Sequence, residues 1–102
     1  MTVRRTDLLK TAIADTPLEL AAYTTDLPAG HDITPHRHAF STVGYVLEGR
    51  FRLTTGDTTK DYRPGEVFTE PAGVVVTGRA LEATKLYMVI PRQPGQPEAR
   101  PA

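Results

Sequence analysis

Short apolar runs separated by closely spaced turn signals constrain this sequence more than any other feature. The runs are rich in β-branched and aromatic residues, and they predict strands at 9–13, 18–25, 36–47, 51–55, 67–70, 74–77 and 85–90. Glycine and proline punctuate them at 28–30, 48–49, 56–57, 64–65 and 71–73. The stretch 8–14 is also compatible with a short helix. Many short strands with tight turns predict an all-β fold, a small antiparallel barrel or sandwich.

The chain length and its proline content predict the domain organisation. A chain of 102 residues is enough for one domain. We expect residues 1–90 to form the barrel. After Ile90 the chain is rich in proline and polar residues, with prolines at Pro91, Pro94, Pro97 and Pro101. Such a composition buries little apolar surface to offset the entropy of ordering, so we predict that residues 91–102 form a loose tail.

Composition excludes several classes of function. Twelve basic and twelve acidic side chains give a net charge of zero, so nothing favours nucleic acid or an anionic membrane as a partner. The absence of cysteine excludes disulfides, zinc–thiolate sites and thiol nucleophiles. No long apolar stretch resembles a signal peptide or a membrane span. We therefore expect a cytoplasmic protein.

His36 and His38 are the centre of the predicted chemistry. In a strand, side chains two residues apart point to the same face and lie about 7 Å from each other. The two imidazoles could bind one metal ion, act as a pair of bases, or hydrogen-bond a ligand. If the strand continues without a bulge, Phe40 and Thr42 share their face.

The spacing around this pair resembles a known family. Four residues match fixed positions of the first cupin motif. They are Gly30, then His36 after five intervening residues, then His38, and finally Gly49. The fixed positions of the second cupin motif that match are Gly65, Pro71 and Gly73. The resemblance covers residues 18–90 and implies a cupin jelly-roll barrel with a small-molecule pocket.

The resemblance also implies a four-ligand metal site, of which this chain keeps only His36 and His38. The expected glutamate falls on Thr42 and the expected third histidine on Val76. We therefore predict that metal binding is weak or absent, with Glu70 as a possible third ligand. The other candidate donors are His31 and Asp32. If the protein has a cofactor, we expect one divalent transition metal: iron, manganese, nickel or zinc.

These observations favour an enzyme that acts on a small, largely apolar organic molecule. The first hypothesis is metal-independent acid–base chemistry of the isomerase, lyase, dehydratase or cyclase type, with His36 and His38 as the bases. The second is a metal-dependent oxygenase or lyase, and the third is a barrel that binds a ligand without catalysis. The predicted substrate-binding residues are Tyr23, Phe40, Thr42, Val74 and Val76.

The opposite face of the predicted strand 36–47 carries an apolar set. Val43, Tyr45 and Leu47 would be exposed if the histidines point inward. Small barrels of the family that this chain resembles commonly pair through outer strands. We therefore expect a homodimer.

Overall fold

The computed structural model describes residues 2–102, which form ten strands. The strands are β1 (Arg4–Ala12), β2 (Glu19–Leu27), β3 (Asp32–Arg37), β4 (Thr42–Glu48), β5 (Phe51–Thr55), β6 (Thr58–Tyr62), β7 (Val67–Glu70), β8 (Val76–Ala80), β9 (Thr84–Arg92) and β10 (Arg100–Pro101). Over this part of the chain there is no helix that could cross a membrane. The prediction of an all-β fold is confirmed.

The strands form two five-stranded antiparallel sheets that pack face to face. One sheet has the order β1-β2-β9-β4-β7, and the other has the order β10-β3-β8-β5-β6. Inward-facing apolar side chains from both sheets make one core. Its buried members are Leu27, Val46, Phe51, Leu53, Phe68, Val76, Ala80, Leu86 and Met88. This arrangement confirms the predicted antiparallel jelly-roll barrel.

Alternation along β4 follows the period of two that the sequence shows. Thr42 and Val46 are buried, whereas Val43, Tyr45 and Leu47 are exposed. Gly44 lies between them at a close approach, because a Cβ placed there would lie 2.1 Å from the ring of Phe68. The outward direction predicted for Val43, Tyr45 and Leu47 is therefore what the structure shows.

The predicted strand 36–47 is two strands in different sheets. β3 ends at Arg37 and β4 begins at Thr42, so the chain crosses between the sheets over residues 38–41. The crossing breaks the alternation on which the shared face of His36, Phe40 and Thr42 depended. Apolar periodicity does not mark this break, because the side chains on both sides of it contact the same interior.

Pairing with a neighbouring strand decides two further segments. β6 has no apolar alternation and forms because it pairs with β5 along its whole length. Of the two alternatives predicted for the stretch 8–14, the structure shows the strand: the stretch lies largely in β1, an exposed strand that pairs with β2.

Residues 91–102 were predicted to be a loose tail, but in the structure this segment lies against the barrel. β9 continues to Arg92, and the two residues of β10 pair with Arg37 and His36 at the edge of β3. The contacts are made by main-chain groups and by the charged side chain of Glu98. Such contacts need little apolar surface, which is why composition does not reveal them.

Candidate metal centre

Two strands from different sheets bring three ligand-type side chains together inside the barrel. His36 is in β3, His38 follows that strand directly, and Glu70 is the last residue of β7. One donor atom from each residue lies within 4.8 Å of the others. Nε2 of His38 is 2.5 Å from Oε2 of Glu70, and Nε2 of His36 is 3.7 Å from the same oxygen. His38 and Glu70 are only 6% and 5% exposed.

A tight turn fixes the position of Glu70. The turn at 71–73 contains Gly73 with a φ of 74°, a conformation that L side chains rarely adopt. The N–H of Gly73 donates a hydrogen bond of 2.9 Å to the main-chain oxygen of His38. This bond ties the end of β7 to the segment that carries the second histidine.

Main-chain carbonyls orient both imidazole rings. Nδ1 of His36 donates to the oxygen of Thr34, and Nδ1 of His38 donates to the oxygen of Glu98, each at 2.8 Å. A carbonyl oxygen can only accept, so the hydrogen must lie on Nδ1 of each ring. In the neutral rings each Nε2 therefore keeps a free lone pair, the form in which histidine binds a metal ion.

In the contact between His38 and Glu70, two hydrogen-bond acceptors face each other, and a cation would remove the repulsion between them. Within residues 2–102, neither Nε2 of His38 nor Oε2 of Glu70 has a hydrogen-bond partner of normal geometry, although both atoms are buried. A neutral Nε2 and a carboxylate oxygen are both acceptors, and at 2.5 Å they repel each other. A proton between them, or a metal ion bound by both atoms, would convert this repulsion into attraction. The donor set thus fits a divalent metal ion.

The ionisation of these groups supports the same conclusion. Burial by itself would raise the pKa of Glu70, but in the metal-free protein the hydrogen bonds that His36 and His38 donate when their rings are protonated outweigh burial and lower this pKa to about 2. The hydrogen bond with Glu70 raises the pKa of His36, against the opposing effect of burial. Glu70 is therefore an ionised carboxylate at neutral pH, which is the state that coordinates a cation.

The strand register explains how a carboxylate reaches this site without a glutamate in β4. Thr42, the position at which the resemblance expects the glutamate, pairs directly with Glu70 on the neighbouring strand. Val76, where a third histidine is expected, pairs with His36 and is fully buried in the core. The result is a set of two histidines and one carboxylate, a combination typical of metal sites with open coordination positions.

A cavity of about 420 Å³ adjoins the three side chains. Most of its lining surface is apolar, and the apolar residues that line it are Ile33, Phe51, Leu86, Met88, Ile90 and Ala99. Its polar lining includes Tyr23, Thr25, Thr34 and Glu98 together with the three ligand-type residues. This size and lining suit a small organic molecule.

The structure separates the predicted substrate-binding residues into two groups. Tyr23 lines the cavity. The residues that do not line it are Phe40, Thr42, Val74 and Val76. Phe40 lies beside a different surface depression, near the strand end of β9, because the chain has already left β3 at this point. Thr42 and Val76 are fully buried behind the site instead of facing the cavity.

Glu98 and Ala99 also line the cavity, although no pattern in the sequence indicated them. Both lie in the segment that was predicted to be a loose tail. Glu98 contacts His38 through its main-chain oxygen, a group that every residue carries. No side-chain pattern could therefore have identified this contact.

The two antiparallel sheets form a small jelly-roll barrel. The cavity of this barrel is lined by two histidines and a carboxylate, which form a candidate metal centre. The family model for the cupin domain matches residues 23–90, well over half of the chain. The chain therefore belongs to the cupin family.

Solved structures share this fold. A conserved protein of unknown function from Streptococcus pyogenes has a TM-score of 0.75 at 20% identity, over 86% of this chain and 72% of its own. KdgF from Halomonas sp. has a TM-score of 0.71 at 26% identity, over 90% and 81%. Salicylate 1,2-dioxygenase from Pseudaminobacter salicylatoxidans has a TM-score of 0.73 at 21% identity, over 85% and 25%. No curated protein sequence matches the chain.

Proposed function

We propose that this cupin is a metal-dependent enzyme, an oxygenase or lyase, that binds one divalent transition metal ion through His36, His38 and Glu70. The observation that carries the proposal is the contact of 2.5 Å between two buried acceptor atoms, Nε2 of His38 and Oε2 of Glu70. The expectation of weak metal binding rested on the two ligands that are missing at Thr42 and Val76. Glu70 supplies a third donor to the set, and with it the negative charge that two imidazoles lack.

Each residue of the site has a definite task in this proposal. A bound divalent ion supplies Lewis acidity toward an oxygen atom of the substrate. The carbonyls of Thr34 and Glu98 keep the imidazoles of His36 and His38 in the tautomer that presents Nε2. The apolar wall of the cavity excludes water and holds the body of the substrate.

The lining of the cavity favours one class of substrate. It contains no lysine or arginine among the described residues, so no side chain there neutralises a second anionic group. Tyr23 and Thr25 provide hydroxyl groups on the same wall. We infer a small, largely apolar substrate with one polar end directed toward the metal centre.

The test is the metal content of protein purified without a chelator or a metal-affinity tag. We expect about one ion of iron, manganese, nickel or zinc per chain after anaerobic reconstitution. His38→Ala should weaken binding at least about 100-fold, because it removes a ligand, and should leave the barrel folded. His31→Ala is the matched control, since His31 lies outside the three-residue group. If the wild-type protein takes up none of these four metal ions, the proposal is wrong.

Metal-independent acid–base catalysis is the second candidate, and the same contact supports it. A proton can bridge His38 and Glu70 as well as a metal ion can, and the hydrogen bond with Glu70 raises the pKa of His36, which favours the proton-carrying form of that ring. Under this alternative, exhaustive chelation leaves turnover unchanged. Under the metal-dependent proposal, chelation abolishes turnover, and adding back one ion per chain restores it.

We also propose that the protein forms a homodimer through the outer face of β4 and β7. Tyr45 and Val67 pair across these two strands, and they are 37% and 58% exposed. Val43 and Leu47 extend the same exposed apolar surface along β4. A second copy of this surface would remove it from water without burying any charge.

A further inference from the structure

The segment of residues 93–102, called the strap here, closes one side of the cavity. Its end pairs with β3, with Pro101 opposite His36, and the N–H of Ala102 donates to the oxygen of Pro35 at 3.2 Å. Glu98 and Ala99, in the middle of the strap, line the cavity itself. The strap is therefore in contact with the metal centre as well as with the barrel.

Glu98 makes two kinds of contact at once. Its main-chain oxygen accepts the Nδ1–H of His38 at 2.8 Å. Its carboxylate accepts hydrogen bonds from both terminal nitrogens of Arg5, and Nη2 of Arg5 lies 2.9 Å from Oε2. Nη1 of Arg92 lies 3.9 Å from the same oxygen. Arginines from β1 and β9 thus hold the side chain whose main chain orients a metal ligand.

Arg5 is itself held in place. Its guanidinium stacks on the ring of Tyr23 at 3.7 Å from the centroid, and its Nε donates to Asp7 at 2.7 Å. Tyr23 is part of the cavity wall. The path from β1 to His38 therefore consists of a stacked cation, a bidentate ion pair and one hydrogen bond, each of which restricts the next.

We propose that Glu98 is a positioning residue for the metal centre and that Arg5 holds it in position. With the carboxylate clamped, the carbonyl of Glu98 stays opposite Nδ1 of His38, and the free lone pair of Nε2 points at Glu70. This inference rests on the proposed metal-dependent function. Without the clamp, the strap is free to move away, and His38 can exchange tautomers and turn from the site. Outer-shell partners of this kind contribute about 10–100-fold to metal affinity.

The experiment compares Arg5→Gln, Glu98→Gln and the double variant in the full chain. Glu98→Gln keeps the main-chain carbonyl and nearly the side-chain volume, so it also serves if Arg5→Gln does not fold. The control is Arg52→Gln, which breaks another bidentate pair, between Arg52 and Asp61, on the outer face of the other sheet. The first readout is the Kd for Co²⁺, measured by titration and by the absorption of the bound ion.

We expect each single variant to weaken Co²⁺ binding about 10-fold or more, and the control to leave it unchanged. The double variant should lose no more than either single variant, because both act through one ion pair. The second readout is the ¹⁵N spectrum of the histidines without metal, in alkaline buffer. His38 should be the Nδ1–H tautomer in the wild-type protein and a mixture of tautomers in both single variants.

The outcomes separate a positioning role from a bracing role. If both single variants lower the thermal stability but leave the Co²⁺ Kd and the His38 tautomer unchanged, Glu98 only braces the strap and the inference is wrong. If the wild-type protein binds no metal ion at all, the proposed function fails. The tautomer of His38 in the variants then still decides whether Arg5 and Glu98 position this ring.

Discussion

The strand pairs β4–β7 and β5–β6 distribute their charged and apolar side chains in opposite ways between the inside and the outside of the barrel. In β5–β6, Phe51 and Leu53 point inward, while Arg52 and Asp61 form an ion pair outside. In β4–β7, the carboxylate of Glu70 is buried, while Val43, Tyr45 and Val67 are exposed. Burying a charge and exposing large apolar side chains both cost free energy, so neither is expected from folding alone.

The difference shows where this barrel departs from a purely structural pattern. β5–β6 follows the usual distribution and needs nothing beyond its own packing to explain it. The inward charge of β4–β7 requires a compensating cation or proton, and its outward apolar surface favours a partner. Both departures are on one pair of strands, so exchanging or removing single side chains there tests them directly.

The largest expected effect is on metal affinity after Glu70→Gln. This variant keeps the shape of the side chain but removes the charged donor, so we expect the Kd for a divalent ion to rise at least about 100-fold. Asp61→Asn removes an equivalent carboxylate from β6, outside the barrel, and should leave the Kd unchanged. Equal effects of the two variants would mean that the inward charge has no special role. Isothermal titration of metal-free protein measures both.

The next effect is on stability in acid. The pKa of Glu70 is lowered from 4.5 to about 2 in the folded protein, where burial is outweighed by His36 and His38. Its contribution is therefore complete above pH 4.5 and is lost as the pH falls toward 2. We expect metal-free protein to lose on the order of 1–3 kcal/mol of unfolding free energy over this range.

The interaction of His36 with Glu70 also stabilises the folded protein, and this stabilisation is lost at alkaline pH. Because Glu70 raises the pKa of His36, that contribution is present below the ordinary value of 6.5 and is lost as the pH rises through the raised pKa. Denaturant unfolding of the metal-free protein should therefore show maximal stabilisation by this pair at mildly acid pH. Glu70→Gln should remove the dependence, whereas Asp61→Asn should retain it; a retained dependence in Glu70→Gln would assign it to other groups.

The smallest effect that we predict concerns the outer face of β4–β7. Tyr45→Lys places a charge in the exposed apolar surface of both copies and should weaken dimerisation about 10-fold or more. Thr59→Lys adds the same charge to β6, on the other sheet, and should leave assembly unchanged. Sedimentation velocity at several concentrations measures both. A wild-type protein that sediments only as a monomer of 11.2 kDa would contradict the dimer.

Local pattern was enough to predict most of the barrel. The strands β4, β5 and β9 each alternate between inward and outward side chains, and this alternation reflects neighbours only two residues apart. The turns that join them need positive φ, as at Gly49 with 87°, and glycine marks such positions in the sequence. β6 escaped prediction because it has no apolar alternation and forms by pairing with β5, and the end of β3 escaped because the chain passes there from one sheet to the other.

The residues of the candidate site also fall into those that local sequence indicates and those that only the path of the chain decides. His36 and His38 could be recognised because their spacing is local and matches a family motif. The path of the chain between β3 and β4 decided that Phe40 and Thr42 leave this face, although the spacing in the sequence suggested one continuous strand.

The sequence by itself determined an all-β barrel, its turns and the two histidines, since each depends on interactions between residues close along the chain. The sequence offered Glu70 as a possible third ligand, but only the tertiary structure decided where it lies, by pairing it with Thr42, 28 positions earlier in the chain. The same holds for Glu98, which meets His38 through a main-chain oxygen across a separation of 60 residues. Contacts of this kind arise from strand register and from chain geometry, and neither leaves a periodic trace in the amino-acid sequence.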